Sequence, residues 1–214
     1  MPDQPPDLPS HGLETPEHAG YRERRLERAR TRKTLLEIES LEQRLNRRRV
    51  FYLNTLISDQ SIEQCIEICE RWASSPQPIT IMIDSPGGSV FSGFALFDFL
   101  RELGATHEVE TCAFGYAASM AVTVLQAGTT RSITPNSYVM IHEAGSVVQG
   151  TTSALRDQVE LSQQLQDRVL ERIVERSHGV TMELVVEKTH RRDWWIAADE
   201  ALALGLVDKI RRPA

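Results

Sequence analysis

From Val50 onward the apolar residues fall into two alternating rhythms. "VFYLNTLI", residues 50–57, is a β-branched and aromatic run and predicts a buried strand. In "SDQSIEQCIEICERWASS", Ile62, Cys65, Ile66, Cys69 and Trp72 recur at helical spacing, with Ser58 or Asp59 placed to cap the helix. "ITIMID" is a second buried strand, "SPGGS" a turn and "VFSGFALFDFLREL" a helix. "HEVETCAFG" predicts a third strand, "AASMAVTVLQAG" a helix ending at Gly128, and "TTRSITPNSYVMIHEAG" short strands about the Pro135-Asn136 turn. A long helix follows, running to Gly179, then a helical "TMELVVEKT" and a helix "AADEALALGLVDKI" that leads into a last strand. Strands alternating with helices predict an α/β fold with mostly parallel pairing.

The first 48 residues break this rhythm. Residues 1–20 hold five of the ten prolines, which exclude a helix interior, so a disordered tail is expected. Residues 21–48 contain no Gly or Pro and are rich in Arg, Glu and Leu. Leu35, Ile38, Leu41 and Leu45 give them a short apolar stripe, so a basic amphipathic helix is expected. Residues 49–214 form the expected folded domain.

Charge sharpens that division. The net charge is −6. Residues 1–20 carry four acids and no Lys or Arg, and residues 21–49 carry eleven Lys or Arg against five Glu. A basic arm is thus joined to an acidic body. The arm lacks interleaved aromatics apart from Tyr21, so no nucleic-acid partner is expected. No apolar run reaches the roughly 18–20 residues of a membrane span. The three cysteines, Cys65, Cys69 and Cys112, and the lack of an apolar leader point to reduced thiols and a cytoplasmic protein. Cys65 and Cys69 read as core residues, since no His or further Cys lies near enough in sequence to complete a metal site.

Four short stretches carry chemistry. In "IDSPGGSV" glycines follow a strand, where backbone N–H groups can approach an anion or a developing oxyanion. In "FGYAASMAVTVLQAG" Ser119 lies among small residues at a helix start, which suits either packing or nucleophilic attack. Met120 follows it and has a backbone N–H to lend. "VMIHEAG" sets His142 after an apolar run; His11, His18, His107, His178 and His190 lie in the tail or in polar connections. "HRRDWWIAADEALALGLVD" places Asp193 before two tryptophans, where partial burial would call for a partner such as an imidazole N–H, or Arg191 or Arg192.

The order "SPGG", "GYAASM", "PNSYVMIH", "RDWWIAADEALALGLVD" resembles the ClpP family, the proteolytic subunit of the Clp protease, from about Arg49 to Ile210. The resemblance implies a crotonase-like spiral of ββα units with an extending handle helix. It implies a serine endopeptidase with Ser119 as nucleophile, His142 as base and Asp193 as orienting acid. The backbone N–H groups of Gly88 and Met120 fall on the family's oxyanion donors. Gly87, Gly145 and Ser146 fall on its substrate-binding backbone. It implies no metal or organic cofactor. Its partners are polypeptide substrates, sister subunits in heptameric rings stacked as a tetradecamer, and an AAA+ unfoldase. The chain departs from the family pattern at "HEAG", where His-Gln-Pro is usual, at "AGTTRS", which is two residues short, and in its arm of about 48 residues. That arm is a cleaved propeptide, a plug or a docking arm. A stand-alone peptidase of the phage head-maturation kind, an idle ring subunit and an acyl-CoA hydratase on the related fold are the other readings. A Ser–Lys dyad is disfavoured, since none of Lys33, Lys188 and Lys209 adjoins the stretches that carry Ser119 and His142.

Overall fold

In the computed structural model, residues 27, 34, 47–143, 145 and 149–212 are described. The chain divides into two units, Met1–Arg47 and Arg48–Ala214. In the first, Glu27, Thr34 and Arg47 are helical. The expected tail 1–20, most of the expected helix 21–48 and Ser146 lie outside the described residues. Everything below concerns the second unit.

Its elements are β1 (Val50–Leu53), α1 (Asp59–Trp72), β2 (Ile79–Ser85), α2 (Val90–Leu103), β3 (Val109–Ala118), α3 (Met120–Leu125), β4 (Thr130–Ile133), β5 (Tyr138–Ile141), α4 (Thr152–Glu175), α5 (Met182–Thr189), β6 (Trp194–Ala197), α6 (Ala198–Ala203) and β7 (Lys209–Ile210). The main sheet runs β1-β2-β3-β4-β7, every neighbour parallel. The predicted α/β class with mostly parallel pairing is what the chain adopts. Parallel pairing follows from the helical crossovers, since a parallel neighbour cannot be reached by a tight hairpin.

Ile79, Ile81 and Ile83 of β2 and Val109 and Ala113 of β3 are buried on one side of the sheet with Leu96 and Leu100 of α2 and Leu125 of α3. The Ile, Val and Leu side chains among these each contribute roughly 1.5–3 kcal/mol on burial. Cys65 and Cys69 share one face of α1 and are both fully buried. The Cys69 thiol beside it, and then burial, push the Cys65 thiol well above its usual range. Both behave as small core residues, as expected from the sequence.

β3 positions the site. Its first half pairs with β4 (Glu110–Ala113 with Thr130–Ile133), its second with β5 (Tyr116–Ala118 with Tyr138–Met140). The change of partner occurs at Phe114-Gly115, where the register against β2 also shifts. Gly115 takes φ 91°, and its N–H donates to Ser137 Oγ at 2.8 Å. Ser137, fully buried after the Pro135-Asn136 turn, thus anchors the bend that carries β3 toward Ser119.

Three expectations need correction. β1 is an edge strand rather than a buried one: Tyr52 is exposed and only Leu53 is fully buried. Among the described residues it pairs on one side only, with β2. The long helix stops at Glu175, not Gly179, because the N–H groups of His178 and Gly179 donate to the Leu204 carbonyl, at 3.3 and 2.9 Å, while the Arg176 carbonyl accepts from the Arg131 guanidinium at 2.6 Å. "WWIA" was not expected to be a strand; it pairs antiparallel with β5.

Arg131 is itself buried and holds the C-terminal segment. Its Nη1 also donates to Gln126 Oε1 at 2.6 Å, and its Nε and backbone N–H donate to Asp208 Oδ2 at 3.2 and 2.7 Å. Burial alone would raise the Asp208 pKa. The hydrogen bonds and charge of Arg131, with help from Arg176, outweigh it and leave the carboxyl below its usual value. A depressed carboxyl pKa contributes stability above its unfolded value, near 3.9, and that stability is lost as pH falls through the folded value. Arg131→Met leaves Asp208 and the Arg176 carbonyl without this partner. A free energy of unfolding lowered by about 1–3 kcal/mol at pH 7 is expected, since solvent reaches the 39%-exposed Asp208 side chain, with the deficit shrinking below about pH 4. Urea titrations of both proteins at several pH values check this.

Candidate active site

Three chain segments meet where β3 ends. Ser119 sits between β3 and α3 at φ 55° and ψ −125°, a backbone conformation that costs a non-glycine residue on the order of 1–3 kcal/mol. Its N–H donates to the Met140 carbonyl of β5 at 2.8 Å, and its carbonyl accepts from Val122 N–H at 2.9 Å. The strand–turn–helix geometry is therefore held from both sides. The Ser119 side chain makes no capping bond to α3, unlike Ser58, Thr151 and Thr181 at the starts of their helices. A serine in cap position whose hydroxyl does not cap leaves that hydroxyl available for chemistry.

His142 and Asp193 are brought together by strand register. Ile141 of β5 pairs with Trp194 of β6, so the next antiparallel pair outward is His142 with Asp193. His142 Nδ1 lies 3.8 Å from Asp193 Oδ1. That spacing permits attraction, and a closure of about 1 Å makes it a hydrogen bond. The expected partial burial of Asp193 does not hold: its side chain is 53% exposed, against 32% for His142. Trp194 turns inward, but the β6 register leaves Asp193 at the strand's open end. The alternative partner Arg192 is engaged elsewhere, its Nε donating to the Lys188 carbonyl at 2.9 Å. Asp193 does not cap α6 either, whose N-cap is Ala197.

The glycine turn closes the third side. A Cβ placed on Gly87 (φ 93°) would lie 2.7 Å from Ser119 Cβ and 2.9 Å from Met120 N, so only glycine lets this turn approach. The Gly87 carbonyl accepts from Ile57 N–H at 2.8 Å, and Ser89 N–H donates to the Ile57 carbonyl at 2.8 Å. Because a trans peptide is planar, a Gly87 carbonyl aimed at Ile57 turns the Gly88 N–H the opposite way. Met120 is the first residue of α3, so its N–H has no intrahelical acceptor. The Met120 N–H thus stands beside the serine, and the Gly88 N–H points away from Ile57.

A cavity of ≈ 160 Å³ adjoins them. Ser119, His142 and Gly145 share it with Leu165, Val169 and Ile173 of α4. A Cβ on Gly145 would meet open space, so this backbone is unobstructed. The structure therefore gathers Ser119, Met120, His142 and Gly145 around one cavity, with Gly87 against Ser119 and Asp193 beside His142. Sequence reasoning missed Ile57, which fixes the turn, and the α4 wall of the cavity. Ile57 closes a run that reads as strand throughout, and a single bridge to Gly88 leaves no periodic trace. Among the described residues no cluster of three or more His, Cys, Asp or Glu is placed to hold a metal. Nor is any helix there long and apolar enough to cross a membrane.

Comparison with known proteins now decides the family. The Clp protease family model matches residues 31–214. The chain belongs to the Clp protease family. It is 36% identical to the ATP-dependent Clp protease proteolytic subunit of Porphyromonas gingivalis, covering 78% of this chain and 75% of that one. It is 34% identical to proteolytic subunit 1 of Leifsonia xyli, covering 82% and 89%. It is 32% identical to proteolytic subunit 3 of Streptomyces coelicolor, covering 80% and 79%. The resemblance seen in the motifs is thereby established over most of the chain, and the family is one of serine peptidases.

Proposed function

We propose that this Clp protease family chain hydrolyses peptide bonds with Ser119 as nucleophile, His142 as general base and Asp193 as the acid that orients it. The observation that carries the reading is the His142–Asp193 cross-strand pair beside a strained, non-capping Ser119. Ser119 Oγ attacks the scissile carbonyl carbon, and His142 Nε2 takes the hydroxyl proton. Asp193 accepts from Nδ1–H, fixes that tautomer and stabilises the imidazolium. The carbonyl oxygen becomes an oxyanion between the N–H groups of Gly88 and Met120. Collapse expels the amine, which leaves with the proton from His142. Water, deprotonated by the same imidazole, then releases the acyl group and restores Ser119.

Substrate binds as an extended strand along the backbone at Gly87, Gly145 and Ser146, with one side chain in the cavity against α4. The relatives are named proteolytic subunits of an ATP-dependent Clp protease, which supports a peptidase subunit coupled to an ATP-driven partner. The motif resemblance extends this reading to heptameric rings stacked as a tetradecamer, fed with unfolded chains by an AAA+ ATPase in the cytoplasm.

Asp193→Asn tests the orienting role. It keeps the shape but presents an amide where the Nδ1 proton needs an acceptor. A loss of kcat of up to about 10⁴-fold is expected with KM little changed. Steady-state hydrolysis of a fluorogenic peptide measures it, and a wild-type rate in the Asp193→Asn protein would remove Asp193 from the mechanism.

A further inference from the structure

The oxyanion turn must hold its direction while charge develops on the substrate, and Gly88 is too flexible to hold it alone. The fixing bonds run from the turn to the segment between β1 and α1. Ser85, the last residue of β2, is fully buried. Its Oγ donates to the Thr55 carbonyl at 2.6 Å and accepts from Gly87 N–H at 3.2 Å. One hydroxyl thus ties the segment 55–57 to the turn 85–88, directly ahead of the Ile57–Gly87 bond that aims the Gly88 N–H. Ser92 continues the clamp on the far side: its hydroxyl donates to Asp59 Oδ1 at 2.6 Å and lies 2.8 Å from Ser89 Oγ.

From this geometry we infer that Ser85 is a positioning residue of the oxyanion hole, acting through Thr55, Ile57 and Gly87 to aim the Gly88 N–H at the reacting carbonyl. It touches no substrate. Without its hydroxyl the Gly87 N–H and the Thr55 carbonyl lose their shared partner, and the Ile57–Gly87 bond is left to hold the peptide between Gly87 and Gly88 without that support. A planar peptide that rotates away from Ile57 carries the Gly88 N–H out of line with the oxyanion. The effect falls on the transition state, where the donor is used, and not on ground-state binding.

The inference rests on the proposed role of Ser119 and Gly88, so the test separates the two. The full-length wild type, Ser85→Ala and Ser85→Cys are each titrated to end point with a fluorophosphonate, and intact mass gives the fraction of labelled chains. Peptide hydrolysis is then expressed per labelled chain. A misaimed donor costs less than a deleted one, whose loss is worth about 10²–10³-fold, so kcat per labelled chain is expected to fall roughly 10- to 100-fold in Ser85→Ala with KM within about twofold. Ser85→Cys, close in shape but a poor donor, is expected to fall in the same direction and is read if the alanine protein does not fold. A purely structural role would lower the labelled fraction and leave kcat per labelled chain at the wild-type value, and that result overturns the inference. A wild type that takes no label fails the nucleophile assignment instead, a distinguishable outcome.

Discussion

Ser119→Ala is expected to lower kcat for peptide hydrolysis by about 10⁴- to 10⁶-fold, the scale seen when a triad nucleophile is removed. Its stability is expected to stay the same or rise slightly. The physical reason lies in the turn. At φ 55° the Ser119 side chain makes no capping bond to α3, so deleting the hydroxyl removes no hydrogen bond there. The backbone bonds that hold the turn, from Ser119 N–H to Met140 and from Val122 N–H to Ser119, survive the change. Alanine at that φ is strained much as serine is. A thermal melt within about 2 °C of wild type, beside the lost activity, is the paired result expected. A large fall in melting temperature would show instead that the serine serves packing.

Gly88→Ala is expected to cost about 10²–10³-fold in kcat, as complete loss of an oxyanion donor does. The residue has φ 149°, which alanine resists, and a Cβ there would lie 2.3 Å from the Ile57 carbonyl oxygen. That oxygen is backbone and already accepts from Ser89 N–H, so the turn must move rather than the neighbour. The Gly88 N–H moves with it. Labelled-chain titration followed by kcat per labelled chain separates this from simple unfolding. An alanine protein of wild-type rate per labelled chain would place the oxyanion donor elsewhere.

Comparing these residues with the sequence shows which physics was local. "ITIMID" and "VFSGFALFDFLREL" announce β2 and α2 because burial and helical period are written in consecutive residues. A cap at Ser58 or Asp59 was legible because capping is settled within one turn, and Ser58 takes the place with Ser61 closing the box. Ser119, His142 and the Gly87-Gly88 turn were legible because short motifs fix their local backbone. Strand character at "WWIA" was not, since four residues between a polar turn and a helix gain it only by pairing with β5. The exposure of Asp193 was misjudged for the same reason: the neighbouring Trp194 is buried, but register decides which residue stands at the open end. The end of α4 depended on the Leu204 carbonyl, which lies in another part of the chain and takes the N–H groups that would extend the helix. The clamp through Ser85 and Thr55 joins residues 30 apart and has no periodic signal.

Labelling the full-length protein with a fluorophosphonate and locating the adduct by peptide mass tests the central claim most directly. An activated nucleophile is expected to give one adduct per chain, on Ser119, that forms at a rate sharply reduced in His142→Ala. No adduct, an adduct on another residue, or labelling of Ser119 at an unchanged rate without His142 would contradict the account.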